Sequence, residues 1–180
     1  GDKMAKIYPF CAVRPRADLA DKIAALPYDV YSRREAYEKV QGDPYTFLRI
    51  DRPETQFPED HDMYAPEVYE KARDMLNGML RDGFFQEEER PAYYVYELVM
   101  NGRSQVGIGA CASVDDYENR VIRKHENTRA DKEADRIRHV DVCSAQTGPI
   151  FLAYRRREGI EAQVRRAMEK TPVCDFTAED

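Results

Sequence analysis

Side chains capable of acid–base chemistry and anion binding are most concentrated between residues 123 and 139. This block, RKHENTRADKEADRIRH, holds two of the three histidines of the chain, six bases and four acids. Thr128 and Asp131 are spaced as a helix capping pair, so we expect a helix to begin there. A helix N-terminus favours anions such as phosphate, because its free amides and the helix dipole both attract negative charge. The residues just ahead of this predicted helix would therefore bind an anion: Lys124, His125 and Glu126.

The predicted helix also carries a basic face. Four basic residues recur along it at spacings of three and four, namely Arg129, Lys132, Arg136 and His139. Three apolar residues take another face, namely Ala130, Ala134 and Ile137. A narrow apolar strip that holds the helix down, with a basic strip that faces outward, is what a site for a polyanionic ligand requires. The alternative stays open that interleaved acids and bases only form a solvated face with pairs at i,i+4.

An acid near the start of the chain is the second candidate for chemistry. Asp29 lies between Tyr28 and Val30, in a segment that leads into a capped helix. Partial burial there would raise the pKa of this carboxyl and suit it to proton abstraction. The alternative is that Asp29 caps a turn after Pro27.

A polar loop is the third candidate. Gln146, Thr147 and Gly148 precede a predicted strand, and the glycine would let the backbone approach a ligand, although these residues also suit a plain turn. The glycine-rich phosphate loops and the Gly-x-Ser-x-Gly elbow of known enzyme classes do not occur. No metal site is expected, because His125 and His139 are not at a ligand spacing and the cysteines form no Cys-x-x-Cys pair.

Composition limits the classes of partner. The 180 residues include 34 acids and 28 bases, which gives a net charge of −6 and argues against nucleic acid as the main partner. No apolar run reaches the roughly 18 residues of a membrane span. We therefore expect a soluble, cytoplasmic protein whose partner is a small-molecule anion or nucleotide.

Hydrophobic periodicity predicts an α+β chain. Ser32 and Glu35 form a capping box for a helix that Gly42 ends, and apolar spacings of three and four predict a helix from Pro66 to Arg81. Two β-type runs, 92–100 and 105–114, are joined by Asn101-Gly102 as a hairpin. Further strands are predicted over 6–13, 45–51 and 150–154, and further helices over 18–25 and 159–170. We expect a single domain over residues 1–180, with about four to five helices and a mixed sheet around a central antiparallel hairpin.

Six short segments combine specific residues in a specific order along the chain. They are Ile7-Tyr8-Pro9-Phe10 with Arg14-Pro15, Pro27-Tyr28-Asp29-Val30, Phe47 to Glu54, Lys124-His125-Glu126 with Thr128, Asp135 to His139, and Gln146 to Ile150. Over nearly its whole length the chain thereby resembles the bacterial and archaeal domain-of-unknown-function family 1015. Members of that family are longer, so the resemblance implies that this sequence is an amino-terminal portion.

The family is distantly similar to the ParB/sulfiredoxin superfamily, whose members bind nucleotides and include kinases of free serine. That similarity implies a ParB/sulfiredoxin-like fold and a small-molecule kinase that uses ATP or ADP with Mg²⁺. Asp29 would be the catalytic carboxylate, and Lys124 to Thr128 the phosphate-binding turn. Mg²⁺ would bridge phosphate oxygens with help from Glu126 or Asp29.

The predicted site joins these implications to the candidates from the helix and the loop. Its catalytic residues are Asp29, His125 and Glu126, and its binding residues are Lys124, Thr128, Arg129, Arg136, His139, Gln146, Thr147 and Gly148. The leading hypothesis is phosphoryl transfer from a nucleotide to a small hydroxyl metabolite. A non-catalytic nucleotide- or anion-binding regulatory module is the first alternative, and a structural assembly domain is the second.

Overall fold

The computed structural model describes residues 4–178, and its internal contacts divide the chain into two compact units. The first, which we call the hairpin unit, comprises Gly1–Arg14, Glu87–Asn127 and Ile150–Val173. The second, the helical unit, comprises Pro15–Gln86, Thr128–Pro149 and Cys174–Asp180. Every apolar side chain that is buried in the described chain belongs to the helical unit.

The described chain contains seven α-helices and six short strands. The helices are α1 (Ala20–Ile23), α2 (Arg33–Val40), α3 (Leu48–Asp51), α4 (Pro66–Arg81), α5 (Val114–Glu118), α6 (Ala130–Cys143) and α7 (Glu158–Met168), and a 3₁₀ turn covers Pro53–Gln56. The strands are β1 (Ile7–Tyr8), β2 (Val13–Pro15), β3 (Phe85–Glu87), β4 (Tyr94–Met100), β5 (Arg103–Gly109) and β6 (Cys111–Ala112).

The class is α+β, as the sequence predicts, but the predicted sheet is wrong. Within the described chain the strands pair as β1 with β6, β2 with β3 and β4 with β5, in separate two-stranded sheets. The hairpin is therefore not the centre of a larger mixed sheet. The predicted count of about four to five helices is also too low.

Helix α4 is the main core element of the helical unit. Pro66 fits its first turn, where the missing N–H is harmless, and Gly83 follows its end with a φ of 75°. Its buried face packs against α3 and α6, and each fully buried side chain of this size stabilises the fold by about 1.5–3 kcal/mol. That face consists of Val68, Tyr69, Ala72, Leu76 and Met79. The prediction of this helix is confirmed at both ends.

Helix α2 begins at the predicted capping box. The Ser32 hydroxyl accepts a hydrogen bond from the Glu35 amide at 3.3 Å, and the Glu35 carboxylate accepts one from the Ser32 amide at 2.8 Å. Gly42 takes a φ of 72° just beyond the helix end, a conformation that glycine adopts without strain. The predicted start and stop are confirmed.

The strand predicted over 45–51 is wrong, because this segment ends in helix α3. The Asp43 carboxylate accepts hydrogen bonds from the amides of Tyr45 and Thr46, at 2.9 and 3.1 Å. Such side-chain-to-backbone bonds favour turns and helix starts over extended backbone. The Thr46 hydroxyl then accepts a bond from the Leu48 amide at 3.3 Å, so local hydrogen bonds outweigh the alternating pattern.

Helix α6 begins one residue later than the predicted capping pair implies, and the opposite face of the helix is buried. Its N-cap is Arg129, which makes no side-chain cap, and the Asp131 carboxylate bonds Arg129 instead of capping with Thr128. The predicted outward basic face looks inward, since His139 is only 1% exposed, while Ile137 of the predicted inward strip is 62% exposed. The reason is that the buried Cys143 continues the basic face, and long basic side chains can cover a core with their aliphatic stems.

The hairpin of β4 and β5 is confirmed. Asn101 and Gly102 both have positive φ, 52° and 75°, which is the turn geometry that matches the twist of the strands. The register runs from Tyr94 opposite Gly109 to Met100 opposite Arg103.

Two other strand predictions in the hairpin unit differ from the structure. The segment predicted as one strand over 6–13 is divided between β1 and the start of β2. Residues 150–154 form no strand within the described chain, because no strand edge pairs with them, and their apolar side chains are exposed. The final helix is confirmed as α7. No helix in the described part of the chain is both long and apolar enough to cross a membrane.

Candidate functional site

A narrow cleft in the helical unit contains the densest group of charged side chains. It lies where α6 faces the 3₁₀ turn and the loop after Pro27, and it encloses about 10 Å³, which is room for about one water molecule. Its lining residues are Tyr28, Arg52, Pro53, Glu54, Met63, Tyr69, Lys132, Asp135 and Arg136.

One wall of the cleft is a buried ion pair. Arg52 donates from Nε to the Glu54 carboxylate at 2.6 Å, and both side chains are almost inaccessible to solvent. The same guanidinium donates to the carbonyls of Tyr28 and Tyr31, at 3.0 and 2.9 Å. Arg52 therefore fixes the loop that contains Asp29 against the 3₁₀ turn. Removing one member would leave the other charge buried and unpaired, which costs about 3–5 kcal/mol.

Arg136 occupies the opposite wall. Its guanidinium lies 4.3 Å from the centroid of the Tyr28 ring, in a cation–π contact, and donates to the Asp135 carboxylate at 2.8 Å. It also donates to the backbone carbonyl of Asp51 at 3.4 Å. The positive charge of Arg136 is thereby held half-buried at the cleft by an aromatic face and a carboxylate.

Asp135 is the hydrogen-bond acceptor in the same wall as Arg136. One carboxylate oxygen accepts from the Tyr69 hydroxyl at 2.7 Å, and the other accepts from Arg136. Burial, together with this hydrogen bond to Asp135, raises the pKa of Tyr69 well above its usual range. Tyr69 is therefore a permanent donor at neutral pH, and it orients the carboxylate towards the cleft.

Lys132 contributes a positive charge that nothing balances. Each guanidinium of the cleft has a carboxylate partner, Arg52 with Glu54 and Arg136 with Asp135. Lys132 lines the same cleft half-buried and makes no ion pair with any residue of the described chain. Among the residues that line the cleft there is thus one cation more than there are anions, while the Asp51 carboxyl also interacts with the charge of Arg136.

Asp51 has the most altered acidity of the carboxyl groups near the cleft. Burial raises the pKa of its carboxyl to about 6, although a hydrogen bond from Thr147 and the charge of Arg136 both oppose the rise. A carboxylate with that pKa can both accept and release a proton near neutral pH. Burial raises the pKa of the Tyr28 hydroxyl, the charge of Arg136 opposes the rise, and the charges of Asp29, Asp135 and Asp51 add to it.

Several predicted site residues lie near this cleft. Arg136 lines it, and Thr147 bonds Asp51 behind it. Asp29 follows Tyr28 in an exposed turn, in which the Val30 amide donates to the Pro27 carbonyl at 3.0 Å. Asp29 therefore lies in a turn after Pro27, but its carboxylate makes no capping bond within the described chain, and the partial burial expected of it is not seen.

The other predicted residues of the helical unit differ in their placement. Gln146 and Gly148 are exposed, as are Thr128 and Arg129 ahead of α6. His139 is not a surface ligand: its Nε2 contacts the Ile50 carbonyl at 2.7 Å, and burial lowers the pKa of its imidazole. It joins α6 to α3 in the core instead.

The predicted anion-binding turn belongs to the hairpin unit. Lys124, His125 and Glu126 are exposed, and the Lys124 ammonium lies 4.9 Å from the centroid of the Tyr117 ring. These three residues were expected to lie just ahead of the free amides at the start of α6. Helix α6 begins four residues after Glu126 and belongs to the helical unit. Their role in binding an anion stays a prediction.

Four residues of the site were not among those predicted from the sequence. Lys132 lies on the predicted basic face but was not included, and Asp51 lies in the segment predicted as a strand. Asp135 and Tyr69 are brought together by the packing of α6 on α4, 66 positions apart in the chain. The adjacency of Asp135 to Arg136 was the one local signal available.

Binding of Mg²⁺ at these carboxylates stays a prediction. Within residues 4–178, no three His, Cys, Asp or Glu side chains are grouped so that they could hold a metal ion. Mg²⁺ in phosphoryl-transfer sites takes only one or two carboxylates and completes its shell with phosphate oxygens and water. In the cleft, both oxygens of Asp135 already accept hydrogen bonds, one from Tyr69 and one from Arg136.

Comparison with known proteins gives a single finding. The family model described as "Protein of unknown function (DUF1015)" matches residues 7–180. No curated protein and no solved structure matches the chain.

Proposed function

The chain belongs to the family of proteins of unknown function DUF1015, and from that premise we propose that it transfers a phosphoryl group from a nucleotide to a small hydroxyl metabolite. The cleft of the helical unit is the phosphate-binding site. The observation that carries this proposal is the uncompensated ammonium of Lys132 beside the guanidinium of Arg136.

Lys132 and Arg136 bind the phosphate oxygens together. They are four positions apart on α6, so they project from successive turns on one side of the helix. A phosphate that accepts from both would neutralise the excess charge of the cleft. Phosphoryl transfer depends mainly on such positioning and charge neutralisation, and much less on covalent chemistry by the protein.

Asp51 and Asp29 act on the acceptor. Asp51, whose pKa of about 6 lies near neutrality, takes the proton from the acceptor hydroxyl. Asp29 orients that hydroxyl from the exposed turn beside Tyr28. Mg²⁺ that arrives with the nucleotide supplies charge neutralisation at the phosphate oxygens.

Three finer parts of the proposal rest on the suggested resemblance to the ParB/sulfiredoxin superfamily: a ParB/sulfiredoxin-like fold, free serine as the first acceptor to be tested, and ATP or ADP as the donor. A cytoplasmic location is proposed from composition, which contains no apolar run long enough for a membrane span. The chemistry of the cleft supports an anionic ligand but does not select among hydroxyl acceptors.

A non-catalytic regulatory module that binds a nucleotide or another anion is the second candidate. It is favoured by the small enclosed volume of the cleft, about 10 Å³, and by the mutual pairing of Arg52, Glu54, Asp135 and Arg136. A ligand that only binds needs to engage Lys132 at the rim, whereas a reacting substrate needs the cleft to open.

One experiment separates the two candidates. The protein is incubated with ATP or ADP, Mg²⁺ and a panel of hydroxyl metabolites that starts with serine, and phosphorylated products are measured by mass spectrometry. For an enzyme, Asp51→Asn should lower turnover by about 10²-fold or more and leave nucleotide affinity nearly unchanged. Nucleotide binding without any product would favour the regulatory module. If the protein neither binds a nucleotide nor forms a product, both candidate functions are refuted.

A further inference from the structure

The hairpin unit has almost no interior of its own. None of the buried apolar residues of the described chain lies in it, and most of the exposed large apolar residues do. Exposure rises along β4 towards the turn, from 36% at Val95 to 75% at Met100. A two-stranded hairpin is marginally stable in water unless more strands or a packed face support it.

The base of the hairpin is held by the N-terminal segment, but its outer part is not. The Tyr94 hydroxyl donates to the Phe10 carbonyl and accepts from the Ala12 amide, both at 3.0 Å, and the Phe10 and Tyr94 rings are 5.1 Å apart. Helix α7 approaches β4. None of these contacts involves β5.

The outer edge of β5 offers unpaired backbone groups. In a hairpin with a two-residue turn, the pair that flanks the turn exchanges hydrogen bonds, here Met100 and Arg103. Every second residue from Ser104 therefore points its N–H and C=O away from β4. These residues are Ser104, Val106 and Ile108, and none has a backbone partner within the described chain. Unpaired edge groups of this kind are a template on which a strand of another chain can pair.

Charge favours a second copy at the β5 edge over one at the β4 edge. Antiparallel pairing of β4 with itself about its central residue would place Glu97 opposite Glu97 of the other copy, which is unfavourable. Pairing of β5 with itself about Val106 places Val106 opposite Val106, and Arg103, the one charged residue of β5, opposite Gly109. No like charges meet in that arrangement.

We propose that the chain forms a symmetric dimer in which the β5 strands of two copies pair antiparallel about Val106. The two hairpins then make one four-stranded sheet, above the size at which a sheet becomes independently stable. One face of that sheet carries an apolar strip from both copies, formed by Val95, Val99, Val106 and Ile108. The dimer pairs the open edge of β5 and gives each hairpin the additional strands that an isolated two-stranded sheet lacks.

Sedimentation of the 180-residue chain from about 1 to about 100 μM tests the proposal, since this range brackets the affinity of a small interface. We expect a monomer–dimer equilibrium. Val106→Lys, which places two ammonium groups opposite each other and leaves the backbone donors intact, should weaken the dimer about tenfold or more. Val99→Lys makes the same substitution at the outer edge of β4; it is the matched control and should leave the dimer intact.

Hydrogen exchange of the unmodified chain provides a readout that needs no variant. The amides of Ser104, Val106 and Ile108 should become protected as concentration rises, while those of Val95 and Val99 should not. A chain that stays monomeric at about 100 μM would overturn the proposal. So would a dimer that both lysine variants weaken equally, or one in which β5 amides gain no protection; these results would point to another surface or another occupant.

Discussion

Burial keeps part of the Asp51 population protonated near neutral pH, and this has a cost for folding. The folded-state pKa is about 6 against an ordinary value of 3.8, so between these values the folded protein binds more protons than the unfolded chain. Stability therefore falls as pH rises through this window. A residue that weakens the fold at neutral pH is typical of a functional position.

Asp51→Asn should raise the free energy of unfolding at pH 7. The full shift corresponds to roughly 3 kcal/mol, and partial contact with solvent makes the gain smaller. The difference from the unmodified protein should disappear below pH 4, where both forms are neutral. Urea unfolding at acidic and neutral pH measures this, with Asp29→Asn in the exposed turn as a control that should show no such gain. An Asp51→Asn protein less stable than the parent at pH 7 would contradict the burial argument.

At the residue scale, the sequence shows which residue types are present but not which of them are buried. Of the predicted binding residues, Arg136 lines the cleft, and Thr147 acts on the pKa of Asp51. His139 was predicted to face solvent, yet it bonds Ile50 in the core, because the spacing that groups basic residues on a helix does not say which face is inward. Lys132 lies on the predicted basic face, whereas the burial of Asp51 depends on contacts with distant segments, which no local pattern reports.

The helices show the same division between local and distant causes. The capping box of α2 and the periodicity of α4 are contained in their own residues, so the sequence predicts both helices. Helix α3 was missed because its start depends on the Asp43 carboxylate, whose two hydrogen bonds replace the extended backbone that Tyr45, Phe47 and Ile50 suggest. The strand predicted over 150–154 has a suitable composition but pairs with no other strand of the described chain.

Ser32→Ala should lower the stability of the helical unit by about 1 kcal/mol, because it removes the acceptor for the Glu35 amide at the start of α2. Thermal and urea unfolding measure the loss. Ser32→Asp retains a capping oxygen and should stay within a few tenths of a kcal/mol of the parent. Equal loss in both variants would show that Ser32 acts through something other than the cap.

At the scale of the whole molecule, the two units have very different interiors. The helical unit contains all the buried apolar side chains of the described chain, whereas the hairpin unit depends on strand pairing and half-buried contacts. The sequence predicted one domain and gave no composition shift that would separate the units, because each is assembled from three separated segments. Each unit is therefore defined by contacts among segments that are distant in the chain.

The difference in packing predicts unequal protection from hydrogen exchange. In dilute solution, the amides of Ala72 and Leu76 in α4 should exchange only through global unfolding, since both side chains are buried. The backbone hydrogen bonds that join β4 to β5 should open at a much lower free energy, so the amides that donate them should exchange faster. Exchange followed by NMR measures both, and equal protection in the two units at low concentration would contradict the view that the hairpin unit lacks a core.

Calorimetric titration with ATP and Mg²⁺ is the most direct test of the central claim, that the cleft of the helical unit binds a phosphate ligand through Lys132. A hydrogen bond to a charged group is worth about 1.5–3 kcal/mol, so Lys132→Ala should weaken binding roughly tenfold to a hundredfold. Lys39→Ala, which removes an exposed lysine from α2, should leave the affinity unchanged. Equal affinity of the Lys132→Ala protein and the parent, or no binding by the parent, would contradict the account.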